Sequence, residues 1–226
     1  MPARTIRHWP DPLLKRKSRP VKKIEKSEIQ LAQDLCDTMK AALGAGLAAS
    51  QVGDDREMVV IAGDYSSPET LPKDPLLQDQ IVLVNPSIEF LGEDKFEWEE
   101  ACLSVPDYSD VVVRFSNIQL SYLDLEGNLH KKNLTPPFSG IVQHEVDHLS
   151  GILYLDRLSS SRKRKARDTL LARKRKKARL LKKKAQAEKS QKDVEVRNGF
   201  RPPGAKSNSK RKKIKKSFGK SKRRKN

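Results

Sequence analysis

Two cysteines, Cys36 and Cys102, are all that this 226-residue chain contains. That is too few for a disulfide framework; it fits a reducing compartment and leaves each thiol for packing or metal binding. Histidine is scarce too, with four in the chain. No apolar run approaches the roughly 18 residues needed to span a bilayer. No charged-then-apolar leader opens the sequence, so a cytoplasmic protein with no membrane span is expected. Beyond Leu158 the only aromatic residues are Phe200 and Phe218, which leaves no row of rings for stacking bases.

Acidic residues are also scarce in that last stretch, so the net charge of +18 averages two unlike parts. From Met1 to Leu158, 17 Lys and Arg face 25 Asp and Glu; from Ser159 onward, 30 face 4. An acidic body of −8 thus carries a basic appendage of +26. The expected organisation is a folded domain over 1–158, a basic helical extension over 159–189 and a disordered basic tail over 190–226.

Within the body, Leu31, Leu35, Met39 and Ala42 recur at helical spacing. Ser27 as N-cap and Gly44 as stop predict a helix over Glu28–Leu43, with Cys36 packed inside it. The β-branched runs Met58–Ala62, Ile81–Val84, Val111–Val113 and Ile118–Tyr122 read as strands, and Gly63–Pro75 as a loop. A second helix is expected from a Thr135 cap, with Pro136 and Pro137 in its first turn, as far as Gly151. Strands followed by a helix bearing the polar cluster indicate an α+β fold of antiparallel strands around a central helix.

That helix contains His144-Glu145-Val146-Asp147-His148. Residues four apart share a helix face, so two imidazoles can reach one ion while Glu145 works as acid/base beside them. The bland alternative is a surface helix with ordinary charges. Apolar neighbours (Ile141, Val142, Leu149, Ile152) argue for burial, and a buried His pair needs partners. Asp147 is a candidate for orienting a ligand imidazole. No His follows His148, and the upstream candidate for a third ligand is Cys102 in Glu100-Ala101-Cys102-Leu103-Ser104. Cys plus two His leaves one tetrahedral position for water. His8 and His130 read as surface residues.

Three segments, Gly44-Ala45-Gly46-Leu47-Ala48-Ala49-Ser50-Gln51, Glu100–Ser104 and Gln143–Leu149, resemble the three signature motifs of the peptide deformylase family, in order. The stretch Arg4–Val21 is similar to that family's N-terminus, and the resemblance covers about residues 4 to 160. It implies a hydrolase that removes formyl from N-formylmethionyl peptides. Cys102, His144 and His148 would hold a divalent ion, Fe²⁺ by resemblance with Zn²⁺ in reserve. Glu145 would move protons, and the Gln51 amide and Leu103 N–H would serve the oxyanion. Gly46, Ala45 and Ala101 would border the substrate; the family usually has Ile or Val in place of Ala45 and Gly in place of Ala101. Ser109 stands where many bacterial members carry Arg near the substrate. Arg114 matches an Arg expected to pair with Glu100.

The basic segment, with runs at Arg173–Lys177, Lys210–Lys216 and Lys220–Lys225, has the footprint of a polyanion ligand. Ribosomal RNA is the target the resemblance suggests, and a monomer is expected. A non-catalytic RNA-binding protein on a decayed deformylase fold, and a hydrolase of other N-acyl substrates, are the competing readings.

Overall fold

The computed structural model describes residues 3–63, 77 and 80–199, with side chains as far as Gln191. The chain forms two units, Met1–Ala172 and Arg173–Asn226. Most of the expected loop Gly63–Pro75 and the tail from Phe200 lie outside the described residues.

The first unit is a mixed α/β body with antiparallel sheets. Helix α1 (Lys26–Ala41) precedes strands β1 (Gly46–Ala48), β2 (Met58–Ile61), β3 (Ile81–Phe90), β4 (Lys95–Cys102), β5 (Val105–Phe115), β6 (Ile118–Leu123) and β7 (Leu129–Leu134). Helices α2 (Phe138–Leu149), α3 (Tyr154–Arg157) and α4 (Ser160–Gly199) follow. One sheet has the order β1-β2-β3-β6-β7, and β4 pairs with β5 in a separate hairpin.

Strand periodicity explains how helices cover both faces of the larger sheet. On β2, Met58 and Val60 join Leu31, Leu35 and Met39 of α1 in one cluster. Val59 and Ile61 point the other way, to Ile141, Val142 and Leu149 of α2. Cys36 is buried in the α1 cluster, as expected. A third cluster holds Cys102 with Val105, Val112, Leu153, Tyr154 and Leu158, and it also takes in Ala166 and Leu170 of α4. The packed body therefore runs past Leu158 to at least Leu170, because the first turns of α4 shield apolar side chains behind Cys102.

Several boundaries differ from the sequence reading, each for a physical reason. Helix α1 is capped at Glu25 rather than Ser27; the Glu28 side chain reaches back to the Glu25 N–H at 3.1 Å. Helix α2 begins after Pro137, not at Thr135, since a residue that precedes proline is driven out of the helical region. Strands β1, β4 and β7 go unannounced: β1 is three residues long, and β4 and β7 contain no β-branched residue and are rich in polar or charged ones. Helix α4 continues to Gly199 through residues assigned above to the disordered tail. Among the described residues no helix is long and apolar enough to cross a membrane.

Candidate active site

Helix α2 buries ten of its twelve residues against the sheet and the β4–β5 hairpin. His144 and His148 share its face, with ring centroids 5.0 Å apart. Cys102, at the end of β4, brings Sγ to 3.3 Å from His148 Nε2. The three donor atoms lie within 4.8 Å of one another, and all three residues are buried. Donors on one tetrahedral ion stand about 3.5 Å apart when metal–sulfur and metal–nitrogen bonds are about 2.3 and 2.0 Å. One sulfur and two imidazoles at this spacing fit a divalent ion.

The surrounding groups fix the imidazoles. His144 Nδ1 donates to Glu100 Oε2 at 2.6 Å, which leaves Nε2 as the ligand atom. Arg114 holds the same carboxylate in a fork, Nε to Oε1 at 2.6 Å and Nη2 to Oε2 at 2.9 Å, and reaches Asp147 Oδ2 at 2.6 Å. Glu100, rather than Asp147, is thus the acceptor that orients a histidine; Asp147 faces Arg114 and Arg157. The expected Glu100–Arg114 pair is present and fully buried. Ser50 ties the His148 segment by donating its hydroxyl to the His148 carbonyl at 3.1 Å.

Burial opposes charge on Glu100, but the His144 and Arg114 partners hold its carboxyl below the ordinary range. Burial also opposes charge on His144, yet its bonds to Cys102 and Glu100 raise it well above the usual value. For His148, burial and then the His144 and Arg114 charges act together and push it well down. Burial raises Glu145 to about 7; its Oε2 has no hydrogen-bond partner among the described residues.

Cys102, His144 and Glu145 form the floor of a cavity of about 610 Å³ that Gly44, Ala45, Gly46, Gln51, Ala101 and Leu103 also line. The cavity thus gathers Ala45, Gly46, Gln51, Ala101, Cys102, Leu103, His144 and Glu145, with His148 joined through its contact with Cys102. Gln51 Oε1 accepts the Ala48 N–H at 2.8 Å, which turns its NH₂ toward Ser104 Oγ at 3.1 Å and Cys102 Sγ at 3.6 Å. Gly46 is required by the floor itself, since a Cβ there would lie 2.6 Å from Glu145 Oε1. Gly44 faces Leu103 in the same way, at 2.7 Å.

One wall escaped the sequence reading. The β4–β5 register pairs Ala101 with Ser109 but Cys102 with Val105, so Pro106, Asp107 and Tyr108 bulge out as a lip. Tyr154 donates its hydroxyl to the Tyr108 carbonyl at 2.8 Å while its ring lies near His144, and Tyr108 donates to Asp110 Oδ2 at 3.1 Å. No local pattern marks such a bulge, although Pro-Asp after an apolar strand residue is a turn signal. His8 is exposed. His130 is half-buried on β7 against Asp124 at 2.7 Å, away from the site.

This geometry has known counterparts. A family model described as polypeptide deformylase matches residues 3–164. The chain belongs to the peptide deformylase family. The peptide deformylase of Nitrosococcus oceani is 40% identical over 162 residues, covering 72% of this chain and 90% of the relative. That of Afipia carboxidovorans is 37% identical over 159 residues, 70% and 88%. Among solved structures, the deformylase of Legionella pneumophila superposes with a TM-score of 0.67 at 36% identity, covering 79% of this chain and 99% of that one. That of Ehrlichia chaffeensis gives 0.68 at 31% identity, covering 78% and 99%. Membership makes the protein a metal-dependent hydrolase and implies removal of the N-formyl group from nascent peptides.

Proposed function

We propose that the protein releases formate from the N-terminal formylmethionine of nascent polypeptides, with Cys102, His144 and His148 holding one divalent ion. The observation that carries this is the convergence of those three buried donors on a cavity that Glu145, Gln51 and Leu103 also line. When bound, such an ion lowers the pKa of a coordinated water to about 7 and polarises a carbonyl oxygen. Glu145, raised to about 7 by burial, takes a proton near neutral pH and returns it to the departing nitrogen. The Gln51 amide, anchored through its Oε1, and the Leu103 N–H donate to the oxygen that gains charge. Gly46, Ala45 and Ala101 border the substrate. Fe²⁺ is the ion we assign, with Zn²⁺ as the alternative that this donor set also suits.

The test is formate release from formyl-Met-Ala peptides by anaerobically prepared Fe²⁺ protein. Glu145→Ala should lower the rate about 10²–10⁴-fold. No release from any N-formyl peptide would sink the assignment, and full activity in Glu145→Ala would sink the mechanism.

We further propose that the basic C-terminal segment anchors this cytoplasmic monomer to ribosomal RNA, at the source of its substrate. Support comes from the +26 balance beyond Leu158 and from the exposed lysines and arginines of Arg173–Lys189. Contacts of this kind go to phosphates and weaken steeply with salt. Deleting Arg173–Asn226 should abolish salt-sensitive ribosome binding; undiminished binding at low salt rejects the anchor.

A further inference from the structure

Helix α1 ends in a Schellman arrangement. The Gly44 N–H donates to the Met39 carbonyl, and the Leu43 N–H to the Lys40 carbonyl, each at 3.0 Å. In this motif the residue after the C-cap takes the left-handed conformation, and glycine is usual there. The sequence suggests Gly44 for that task, but Leu43 performs it, at φ +54. A Cβ on Gly44 would meet the end of the Leu103 side chain at 2.7 Å.

A leucine is poorly suited to the left-handed region, where its Cβ crowds the following carbonyl. The other non-glycine residues there among those described are Asn85 and Asp107, whose types tolerate it. Packing does not compensate Leu43, which is 94% exposed. It nevertheless lines the active-site cavity, at the outer end of the segment leading to Gly46 and Glu145. A strained apolar side chain that gives nothing to the core and stands at a cavity mouth calls for a ligand.

We infer that Leu43 is a specificity-determining residue, the apolar contact for a side chain downstream of the formylmethionine. It favours peptides with leucine- or phenylalanine-like residues there over alanine. The inference rests on the deformylase reading above. Leu43 precedes Gly46 by three residues, a span of at most about 10 Å, which is within reach of the second or third residue of a peptide whose formyl group lies beside Glu145.

The experiment compares kcat/KM for formyl-Met-Leu-Leu and formyl-Met-Ala-Ala amides, in the Fe²⁺ protein and in Leu43→Asn, Leu43→Gly and Leu43→Met. The wild type should prefer the leucine peptide about fivefold or more, as burial of an apolar side chain predicts. Asn and Gly should remove the preference and leave the alanine peptide within about twofold, whereas Met should retain it. Leu43→Asn should also raise the melting temperature by about 2–4 °C, because the strain is relieved. A purely structural role would move stability and both rates downward together. An unchanged preference in Leu43→Asn, or equal loss on both peptides, overturns the inference. No formate from either peptide with wild-type protein overturns the deformylase reading and takes this inference with it.

Discussion

Beneath the cavity floor, Glu100 and Arg114 are each 2% exposed and lie in a lattice of four hydrogen bonds with His144 and Asp147. At the rim, the lip formed by Pro106–Tyr108 is held by Asp110, Arg162 and Tyr154, and the Arg162 side chain is 45% exposed. One region lies beneath the cavity, behind His144, and the other rims it, and they answer to different physics. Buried charges on the floor have no water to turn to, so each requires its partners. Charges on the rim share theirs with solvent, so each depends less on its partner.

The sharpest way to break this contrast is Arg114→Met. It strands Glu100 and Asp147 as buried carboxylates with partners missing, and truncating one member of such a pair costs about 3–5 kcal/mol. Chemical denaturation of the metal-loaded protein should show that loss, and a change below about 1 kcal/mol would mean the floor is wetter than described. Gly46→Ala comes next. Its Cβ would fall 2.6 Å from Glu145 Oε1 and 2.8 Å from Glu145 Cγ, so the carboxylate must shift as a whole. A displacement near 1 Å should lower kcat about 10²-fold, read in the formate assay, with little change in melting temperature. Wild-type turnover in Gly46→Ala would remove Glu145 from the reacting position.

A third comparison concerns where the body ends. Chains stopped after Leu158 and after Ala172 differ by Ala166 and Leu170, both buried in the cluster behind Cys102. The shorter chain should lose about 2 kcal/mol, the worth of one buried leucine and its neighbour, and the longer one almost nothing. Equal melting temperatures would return the boundary to Leu158.

The floor was legible in the sequence because its residues are spaced by the helix itself. His144 and His148 sit one turn apart in any helix, no His follows them, and Cys102 is the cysteine left once Cys36 is assigned to the core of α1. Glu100 was read as Arg114's partner but not as His144's, since its bond spans 44 residues and Asp147 was the nearer acid. The rim was hidden for two further reasons. A strand bulge depends on register between β4 and β5, which no single strand encodes. Leu43, not Gly44, takes the left-handed position that local propensity assigns to glycine. The break after Leu158 is visible as charge, yet charge says nothing about two small apolar faces that keep α4 attached to the core.

The smallest expected effect tests the rim directly. Arg162 pairs with Asp110, which also accepts from the Tyr108 hydroxyl, so the ion pair steadies a wall of the cavity rather than the fold. Exposed pairs contribute about 0.2–1 kcal/mol, and Arg162→Ala should leave the melting temperature nearly unchanged. If the pair acts on the lip, the same energy appears as a rise in KM of about threefold, equivalent to about 0.6 kcal/mol, at constant kcat. Added salt should bring the wild type toward the variant because the pair is screened. Asp110→Asn combined with Arg162→Ala should cost little more than either alone. A fall in kcat instead would show that the lip reaches His144 through Tyr154, and floor and rim would then be one mechanical unit.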